Sequence, residues 1–305
     1  MAKPFVTVVV LTYYKFDGIK KNLESLAKQD YTNFEVIIQD DGSPNFDRAY
    51  LEELAENTLG EIPWMVHQNE KNVGTVRSFN KAFELAKGEY VFPLSQDDCF
   101  RDETAIRHIV EYMEEHPEYG ACTSRRVGET TGRMYPEEED IKLLQAWDTK
   151  ELWKRVVYDN FISGSTIYYR KSFWEKRGGF DTDFLLVEDY PFVVSMILDN
   201  QKIGFVDEIT ICYGEDGVSN GKPSEKILID RQKLYDKYIL PNMADVDSKA
   251  MKDYVAYQYG YVAYRHDKKA YMMHNLRYIG VVIRILYAIH IKKLNFDERY
   301  YYLCK

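Results

Sequence analysis

The chain has 305 residues, of which 45% are hydrophobic and 29% are charged, a composition typical of folded globular proteins and not of disordered ones. The net charge of −9 at pH 7 argues against nucleic acid as a general partner, because domains that bind nucleic acid usually carry a basic surface. The four cysteines form no C-x-x-C pair, so we expect no structural zinc site.

The amino terminus, MAKPFVTVVV, lacks the pattern of a cleavable signal peptide. Together with the scattered cysteines, this predicts a protein of the reducing cytosol.

The first hundred residues alternate between two kinds of segment. Apolar, β-branched runs predict strands, and segments with apolar residues at helical spacing predict helices. The predicted strands cover residues 5–13, 34–43, 63–68 and 90–98, and the predicted helices cover residues 18–29, 48–57 and 75–89. This alternation predicts an α/β fold with a Rossmann-like, mostly parallel sheet flanked by helices.

The pattern changes after residue 102. Residues 102–120 predict a helix that begins with an acidic cap and stops before Pro117, residues 128–150 predict loop and helix, and residues 160–213 predict a strand, a helix, a Gly-Gly turn and a second helix. Residues 214–226 are rich in Gly, Ser, Asn and Lys and predict a mobile loop. The last ~80 residues predict helices that are very rich in tyrosine and contain no internal repeat.

The carboxyl-terminal region is basic although the chain as a whole is acidic. Residues 249–305 contain 11 Lys and Arg but only 4 Asp and Glu. Such a segment fits an anionic partner, with membrane lipid the obvious candidate, or packing against the acidic remainder of the chain. The apolar run 279–291 is too short to span a membrane, and it could form either a buried packing helix or a surface anchor.

Short polar side chains follow three of the predicted strands, at Thr12–Tyr14, Asp40–Ser43 and Gln96–Asp98. Strands often end in such residues, so one cluster alone means little. Ligands of parallel sheets bind beyond the carboxyl ends of the strands, and three clusters together predict a site there. Adjacent carboxylates such as Asp97 and Asp98 serve either as an acid–base pair or as ligands of a hard divalent cation.

Five blocks of the sequence, in order, resemble the family 2 inverting glycosyltransferases of the GT-A fold. They are VTVVVLTYYK, NFEVIIQDDGS, NEKNVGTVRSFNKAFELAKGEYVFPLSQDD, ISGSTIYYRKSFWEKRGGFD and LLVEDYPFVVSMI, and they span roughly residues 4–215. The resemblance implies a nucleotide-diphospho-sugar donor, a Mn²⁺ or Mg²⁺ ion and a single displacement by an acceptor hydroxyl.

The resemblance also implies roles for the residues at the strand ends. Thr12 and Tyr14 would lie along the nucleotide, and Asp40, supported by Asp41, would hydrogen-bond the base. Asp98 would bind the metal ion. How Gln96 and Asp97 share the sugar and ribose stays open, because Gln stands where a strict D-x-D motif has its first Asp.

The remaining implied roles concern the phosphates and the acceptor. Asn72 and Gly74 would lie near the ribose and phosphates, and Arg77 is a candidate phosphate partner. Asp189 would be the catalytic base with Glu188 as its neighbour. The acceptor side would be lined by residues of ISGST, namely Ser163 and Gly164. Solvated surface charge is an equal alternative for Arg77 and for the basic residues near the predicted mobile loop, which are Lys222, Lys226 and Arg231.

The predicted organisation is a GT-A catalytic domain over residues 1–220 and a helical region over residues 221–305. Residues 1–100 would bind the nucleotide sugar and residues 101–220 the acceptor. The expected enzyme uses a UDP-sugar and a glycan or lipid-linked acceptor to build bacterial surface polysaccharide or glycoconjugate. It would work in the cytoplasm, peripherally at the inner face of the membrane, and it could form a homo-oligomer.

Two alternatives stay open. The chain could be a catalytically inactive GT-A-like protein that binds glycans or acts as a scaffold. A sugar-phosphate nucleotidyltransferase is more remote, because it would carry a Gly-rich basic loop after the first strand, where this chain has TYYKFDG.

Overall fold

Four parallel strands form the amino-terminal half of the sheet in the computed structural model, which describes residues 4–215, 223–246 and 248–303. The strands lie in the order β3-β2-β1-β4. Their bounds are β1 Val6–Thr12, β2 Phe34–Asp40, β3 Trp64–Gln68 and β4 Tyr90–Ser95. The helices between them are α1 Ile19–Ala27, α2 Arg48–Leu59 and α3 Thr75–Leu85. The predicted alternation is therefore confirmed for this half of the chain.

Alternate residues of the central strands enter two separate cores. Val9 of β1 and Ile37 of β2 pack on one face of the sheet, and Val8 and Val10 of β1 pack on the other. A strand with a side-chain period of two and apolar residues at every position is buried on both faces. This burial explains why β1, VTVVVLT, carries valine or leucine at five of its seven positions.

The second half of the sheet is mixed. Its strands are β5 Cys99–Phe100, β6 Ala121–Gly128, β7 Met134–Tyr135, β8 Ile167–Arg170 and β9 Gly204–Tyr213. β8 pairs antiparallel with β4 and with β6, whereas β9 pairs parallel with β6. The short strand β5 pairs antiparallel with β9, and the short strand β7 pairs antiparallel with β6. The helices of this half are α4 Ala105–Glu115, α5 Glu138–Ala146, α6 Thr149–Tyr158, α7 Lys171–Lys176 and α8 Asp189–Leu198.

The carboxyl-terminal helices share a core with the rest of the chain. They are α9 Glu225–Leu234, α10 Lys249–Ala263, α11 Lys268–Arg277, α12 Ile279–His290 and α13 Phe296–Leu303. The ring of Tyr254 on α10 stacks on Tyr158 of α6 at 4.7 Å between centroids, and the Tyr158 hydroxyl donates to the carbonyl of Phe296. The predicted helical character of this region is confirmed. The predicted boundary at residue 220 lies outside the described residues and stays a prediction.

Helix α12 lies at the surface of the molecule. Ala288 is the only one of its residues that is fully buried, so the alternative in which this apolar run is a buried packing helix is wrong. Among the residues that the structure describes, no helix combines the length and the apolar character that a membrane span requires.

The carboxyl ends of β1, β2 and β4 meet at one edge of the sheet. The amide of Asp41 donates to the carbonyl of Thr12, and the amide of Gln96 donates to the carbonyl of Leu11. The three polar clusters predicted from sequence therefore lie side by side, as expected for parallel neighbours.

Candidate active site

Asp40 closes the turn that follows β2. Its Oδ1 accepts hydrogen bonds from the hydroxyls of Ser43 at 2.5 Å and Thr12 at 3.3 Å. Its Oδ2 accepts from the amide of Ser43 at 2.8 Å. The side chain is fully buried, so these bonds hold the ends of β1 and β2 together. The predicted contact between Asp40 and a base stays a prediction.

Tyr14 presents its ring to solvent above this turn. Its backbone adopts φ 65°, its amide donates to the hydroxyl of Ser43, and its side chain is 57% exposed. The ring of Tyr13, also exposed, lies 6.4 Å away between centroids. Exposed aromatic rings at a strand end offer a surface on which a planar base could stack.

Asp41 shapes the loop that leads into α3. Its carboxylate accepts from the amide group of Asn69 and from the backbone amides of Val73 and Gly74, all at 2.9–3.0 Å. Gly74 has φ +89°, and a Cβ there would lie 2.4 Å from the carbonyl oxygen of Leu185. The loop therefore touches the segment that leads to Glu188, and only glycine permits this approach.

Asn72 and Arg77 lie on the same side of the molecule as this loop. Asn72 is half-buried within it. The Arg77 guanidinium donates to the backbone carbonyls of Thr182 at 2.5 Å and Phe184 at 3.5 Å. Arg77 thus links α3 to residues 182–184. Its contact with phosphate stays a prediction.

Asp98 is a buried carboxylate in which only one of the two oxygens accepts a hydrogen bond from the described residues. Its side chain is 1% exposed, and Oδ1 accepts from the amide of Gly214 at 2.9 Å. Oδ2 has no hydrogen-bond partner within residues 4–215, 223–246 and 248–303. Burial, and then the neighbouring charge of Asp97, raise the pKa of Asp98 to about 8. A buried carboxylate without a full set of partners is unfavourable unless a cation joins it.

Arg126 on β6 supplies positive charge near Asp98. We did not single out this residue from the sequence alone. Its guanidinium lies over the rings of Tyr213, at 3.6 Å from the centroid, and Tyr135, at 4.9 Å. Its charge and the hydroxyl of Ser165 lower the pKa of Asp98 against the effect of burial. Two aromatic faces therefore hold a positive charge close to the buried carboxylate.

Glu188 and Asp189 begin α8. Asp189 accepts hydrogen bonds through Oδ2 from the side-chain amide of Asn160 at 3.0 Å and the backbone amide of Gly164 at 3.1 Å. Its Oδ1 accepts from the amide of Tyr190 at 2.7 Å. Burial raises the pKa of both carboxyls, that of Glu188 to about 8 with a contribution from Asp189, and that of Asp189 to about 6. Burial and the neighbouring charge therefore make the pair hold protons to a higher pH than isolated carboxyls do.

One short turn, Gly164–Thr166, joins the two carboxylate groups. A Cβ on Gly164 would lie 3.0 Å from Oε1 of Glu188. The Ser165 hydroxyl lies close enough to Asp98 to lower the pKa of that carboxyl, although it makes no hydrogen bond to Oδ2. The hydroxyl of Ser163 lies 3.1 Å from that of Ser165. The structure thus brings the predicted residues Ser163, Gly164, Asp98 and Glu188 to one place.

The residues present fit a divalent cation of the Mg²⁺ type. Within the described parts of the chain, no group of three or more His, Cys, Asp or Glu could form a complete metal cage. Mg²⁺ commonly takes one or two carboxylates from the protein and fills its shell with phosphate oxygens and water. The unpartnered Oδ2 of Asp98 is suited to that mode of binding.

Asp230 on α9, which our sequence reasoning also missed, holds the backbone just before Glu188. Its buried carboxylate accepts from the amides of Leu185, Leu186 and Val187 at 2.7–3.3 Å. Successive amides that converge on one carboxylate fix the path of a loop. The carboxyl-terminal helices therefore help to place the Glu188–Asp189 pair.

Of the three basic residues near the predicted mobile loop, the structure describes Lys226 and Arg231. Lys222 and residues 216–222 fall outside the described residues. Lys226 is exposed, and Nη2 of Arg231 lies 3.9 Å from Oδ2 of Asp159.

Fold and site together define an α/β protein of the GT-A type. The mannosyltransferase PcManGT of Pyrobaculum calidifontis, solved with GDP-Man and Mn²⁺, superposes with a TM-score of 0.64 at 15% identity, covering 98% of this chain and 85% of that one. S. aureus TarS residues 1–349, solved with UDP-GlcNAc, gives a TM-score of 0.54 at 17% identity, covering 97% of this chain and 89% of that one. Both likenesses show a shared fold.

The sequence profile of glycosyl transferase family 2 matches residues 7–177, and the chain belongs to that family. An uncharacterized glycosyltransferase of Haemophilus influenzae is 28% identical over 199 residues, which are 63% of this chain and 62% of the relative. The putative teichuronic acid biosynthesis glycosyltransferase TuaG of Bacillus subtilis is 32% identical over 112 residues, which are 37% of this chain and 43% of TuaG. The chain thus matches about three fifths of the length of the Haemophilus relative.

Proposed function

We propose that this protein is a metal-dependent, inverting glycosyltransferase that moves a sugar from a nucleotide-diphospho-sugar to an acceptor hydroxyl. One observation carries the proposal: the turn Gly164–Thr166 lies between a buried carboxylate with an unpartnered oxygen, Asp98, and a carboxyl pair with raised pKa values, Glu188 and Asp189. Carboxylates with distinct and shifted pKa values at one site are typical of catalytic centres.

The leaving-group side would be held by Asp98 and Arg126. Oδ2 of Asp98 would bind Mn²⁺ or Mg²⁺, which, when bound, neutralises charge on the departing diphosphate. Arg126 carries a fixed positive charge between two tyrosine rings and would add to that neutralisation. Asp97 would contact the sugar and ribose, while the loop around Asn72 and Gly74 would lie along the phosphates.

The acceptor side would be served by Asp189. Single displacement needs one base that takes the proton of the acceptor hydroxyl, and a single displacement inverts the anomeric carbon. The Asn160 side chain and the amides of Gly164 and Tyr190 fix the Asp189 carboxylate, which still has lone pairs for a proton because its two oxygens offer about four acceptor positions. Burial and the charge of Asp189 raise the pKa of Glu188, and in its protonated form Glu188 would donate to a substrate hydroxyl.

The donor class is supported by the two solved neighbours, which were obtained with GDP-Man and with UDP-GlcNAc. We favour a UDP-sugar, with Tyr14 stacking on the base. Thr12, Asp40 and Asp41 would line the nucleotide site on the side of the strand ends. Glycan or lipid-linked acceptors of bacterial surface polysaccharide are supported by the name of TuaG. The proposal also includes work at the cytoplasmic face of a membrane, with membrane contact through the basic carboxyl-terminal region. It includes homo-oligomerisation as well.

Thermal unfolding of the whole chain with a panel of UDP-, GDP- and dTDP-sugars tests the proposal. We expect one donor class to raise the Tm by roughly 5 °C when Mn²⁺ is present at saturating donor, because a ligand that binds only the folded state stabilises it by mass action. Without Mn²⁺ the shift should be much smaller. If no nucleotide sugar is turned over and none binds in a metal-dependent manner, the inactive scaffold alternative is correct.

Asp230→Asn tests whether α9 positions the catalytic pair. Asparagine keeps the size of the side chain but replaces one acceptor oxygen by a donor that opposes the amides of Leu185–Val187. We expect kcat to fall roughly 10- to 100-fold, since misplacement of a base by about 1 Å is costly, with donor KM nearly unchanged. The matched control is Asp236→Asn, an exposed carboxylate of the following turn. Loss of Mn²⁺-dependent donor binding in Asp230→Asn would instead indicate general unfolding.

A further inference from the structure

Helices α11 and α12 present a row of large apolar side chains to solvent. Each is between 45% and 66% exposed, and the residues are Met272, Met273, Leu276, Ile279, Ile283, Leu286, Tyr287 and Ile291. On α12 the exposed positions follow helical spacing, whereas Val281 and Ile285 on the same helix pack against the core. We call this row the carboxyl-terminal apolar face. Exposed apolar surface of this extent marks a binding surface in a water-soluble domain.

The segment that carries this face is uniformly basic. Residues 268–296 contain no Asp or Glu, although Asp267 and Asp297 flank the segment directly. Asp267 caps α11 by accepting from the amides of Lys269 and Ala270. Six cations along the segment are exposed, namely Lys268, Lys269, Arg277, Arg284, Lys292 and Lys293. None of them forms an ion pair with a carboxylate in the part of the chain that the structure describes.

A basic cleft lies beside the apolar face, between α10 and the start of α12. It has a volume of about 550 Å³, and Lys249, Arg277 and Arg284 line it together with Asp253. Asp253 is paired with Lys249, which leaves the two arginines as the excess charge of the cleft. Arginines recognise phosphate oxygens through paired hydrogen bonds.

We infer that the carboxyl-terminal apolar face docks on an anionic lipid bilayer, with the apolar side chains at the headgroup–acyl boundary and the cleft around a lipid phosphate. An apolar stripe bordered by Lys and Arg is the arrangement found in helices that lie in a membrane interface. Each cation near an anionic surface adds to the attraction, and long basic side chains reach the headgroups from the apolar boundary.

Charge complementarity favours lipid over a second copy of this chain. In a two-fold interface the same patch meets itself, so the exposed cations of one copy would face those of the other. Like charges brought together in this way oppose association. An anionic bilayer supplies both the apolar layer and the opposite charge.

This inference rests on the proposed function, because it specifies the membrane contact named there. The two can fail separately: lipid binding can be absent while sugar transfer persists, and sugar transfer can be absent while lipid binding persists. The test is flotation of the whole chain with vesicles of phosphatidylcholine alone or with 30% phosphatidylglycerol added. We expect binding to the anionic vesicles, weak binding to the neutral ones, and loss of binding at high salt because surface charges are screened.

Two variants of the face and two matched controls make the test specific. Replacing Lys268, Lys269, Lys292 and Lys293 by Gln should weaken binding to anionic vesicles on the order of 1,000-fold, because four cations near the anionic surface are lost. Ile279→Ser with Ile283→Ser should also abolish flotation, since these side chains would lie in the apolar boundary. The charge control replaces exposed lysines elsewhere, namely Lys20, Lys28, Lys81 and Lys150, and the apolar control is Met65→Ser with Leu198→Ser. Both controls should float like the unchanged chain.

Three results would overturn the inference. They are equal binding to neutral and anionic vesicles, full binding by the face variants, and a dimer in sedimentation velocity that Ile279→Ser with Ile283→Ser converts to a monomer. The last result would show that a second copy covers the face. The Asp189→Asn variant should float normally, which separates lipid binding from the transfer chemistry.

Discussion

Replacing Asp189 by asparagine is expected to lower turnover by about 10²- to 10⁴-fold, the range that a general base contributes, while donor binding stays unchanged. Asparagine keeps an oxygen that can accept from Asn160 and Gly164, whose donors surround Oδ2 of Asp189, but it cannot take a proton from the acceptor. The measurement pairs kcat with the Mn²⁺-dependent rise in Tm caused by the donor.

The pH dependence of the unchanged protein gives an independent check. The base acts only when it is ionised, and burial raises the pKa of Asp189 to about 6. Therefore kcat/KM should rise between about pH 5 and pH 7 and then level off. Burial and the charge of Asp189 raise the pKa of Glu188 to about 8, so glutamine at this position resembles the carboxyl that we expect at neutral pH. The Glu188→Gln variant should therefore keep the acidic limb of the profile.

Two outcomes would contradict the assignment of the base. Near-normal turnover by Asp189→Asn would show that another group takes the proton. An acidic limb that moves by more than one pH unit in Glu188→Gln would show that Glu188 is ionised during turnover, because a neighbouring negative charge shifts the pKa of a carboxyl in this way.

Replacing Asp98 by alanine is expected to abolish metal-dependent donor binding. The variant removes the buried Oδ2 that has no partner among the described residues, which is the atom proposed to hold the divalent cation. The Tm of the variant should no longer rise when Mn²⁺ and the donor are added together. Donor turnover should fall below detection, since the charge of the leaving diphosphate would lose its main partner.

Stability without metal separates this effect from unfolding. Asp98 is a buried carboxylate next to Asp97, and these surroundings raise its pKa, so the ionised form is unfavourable in the folded state. We expect Asp98→Asn, which keeps the size of the side chain, to be at least as stable as the unchanged chain in the absence of metal. Asp30→Asn is the control, because that carboxylate is exposed and pairs with Arg107 at the surface. Metal-dependent donor binding that survives in Asp98→Asn would rule out Asp98 as the ligand.

The sequence alone determined the elements of the first hundred residues and the position of the polar clusters. These features follow from local signals. A short β-branched apolar run indicates a strand buried on both faces, as at Val6–Thr12, and parallel strands bring their carboxyl ends to one edge whatever their other contacts. The five ordered blocks also sufficed for the family, because they lie within consecutive elements of the chain.

The tertiary structure alone decided which distant groups meet. Gly214 donates to Asp98 across 116 residues, Asp230 binds the backbone of residue 185 across 45 residues, and Arg126 lies between two tyrosine rings. No spacing rule predicts such contacts, since they depend on how helices and strands pack. A pair of consecutive arginines within strand β6, whose sequence is ACTSRRVG, was the one local sign of Arg126.

The exposure of α12 was decided in the same way. Its sequence, apolar with one arginine and one histidine, is compatible with a buried helix or a surface helix, because hydrophobicity alone does not say what covers it. Only packing against α10 and α13 showed which residues face the core and which face solvent. Local sequence therefore set the elements and the edge of the site, whereas long-range packing set the partners of each charge.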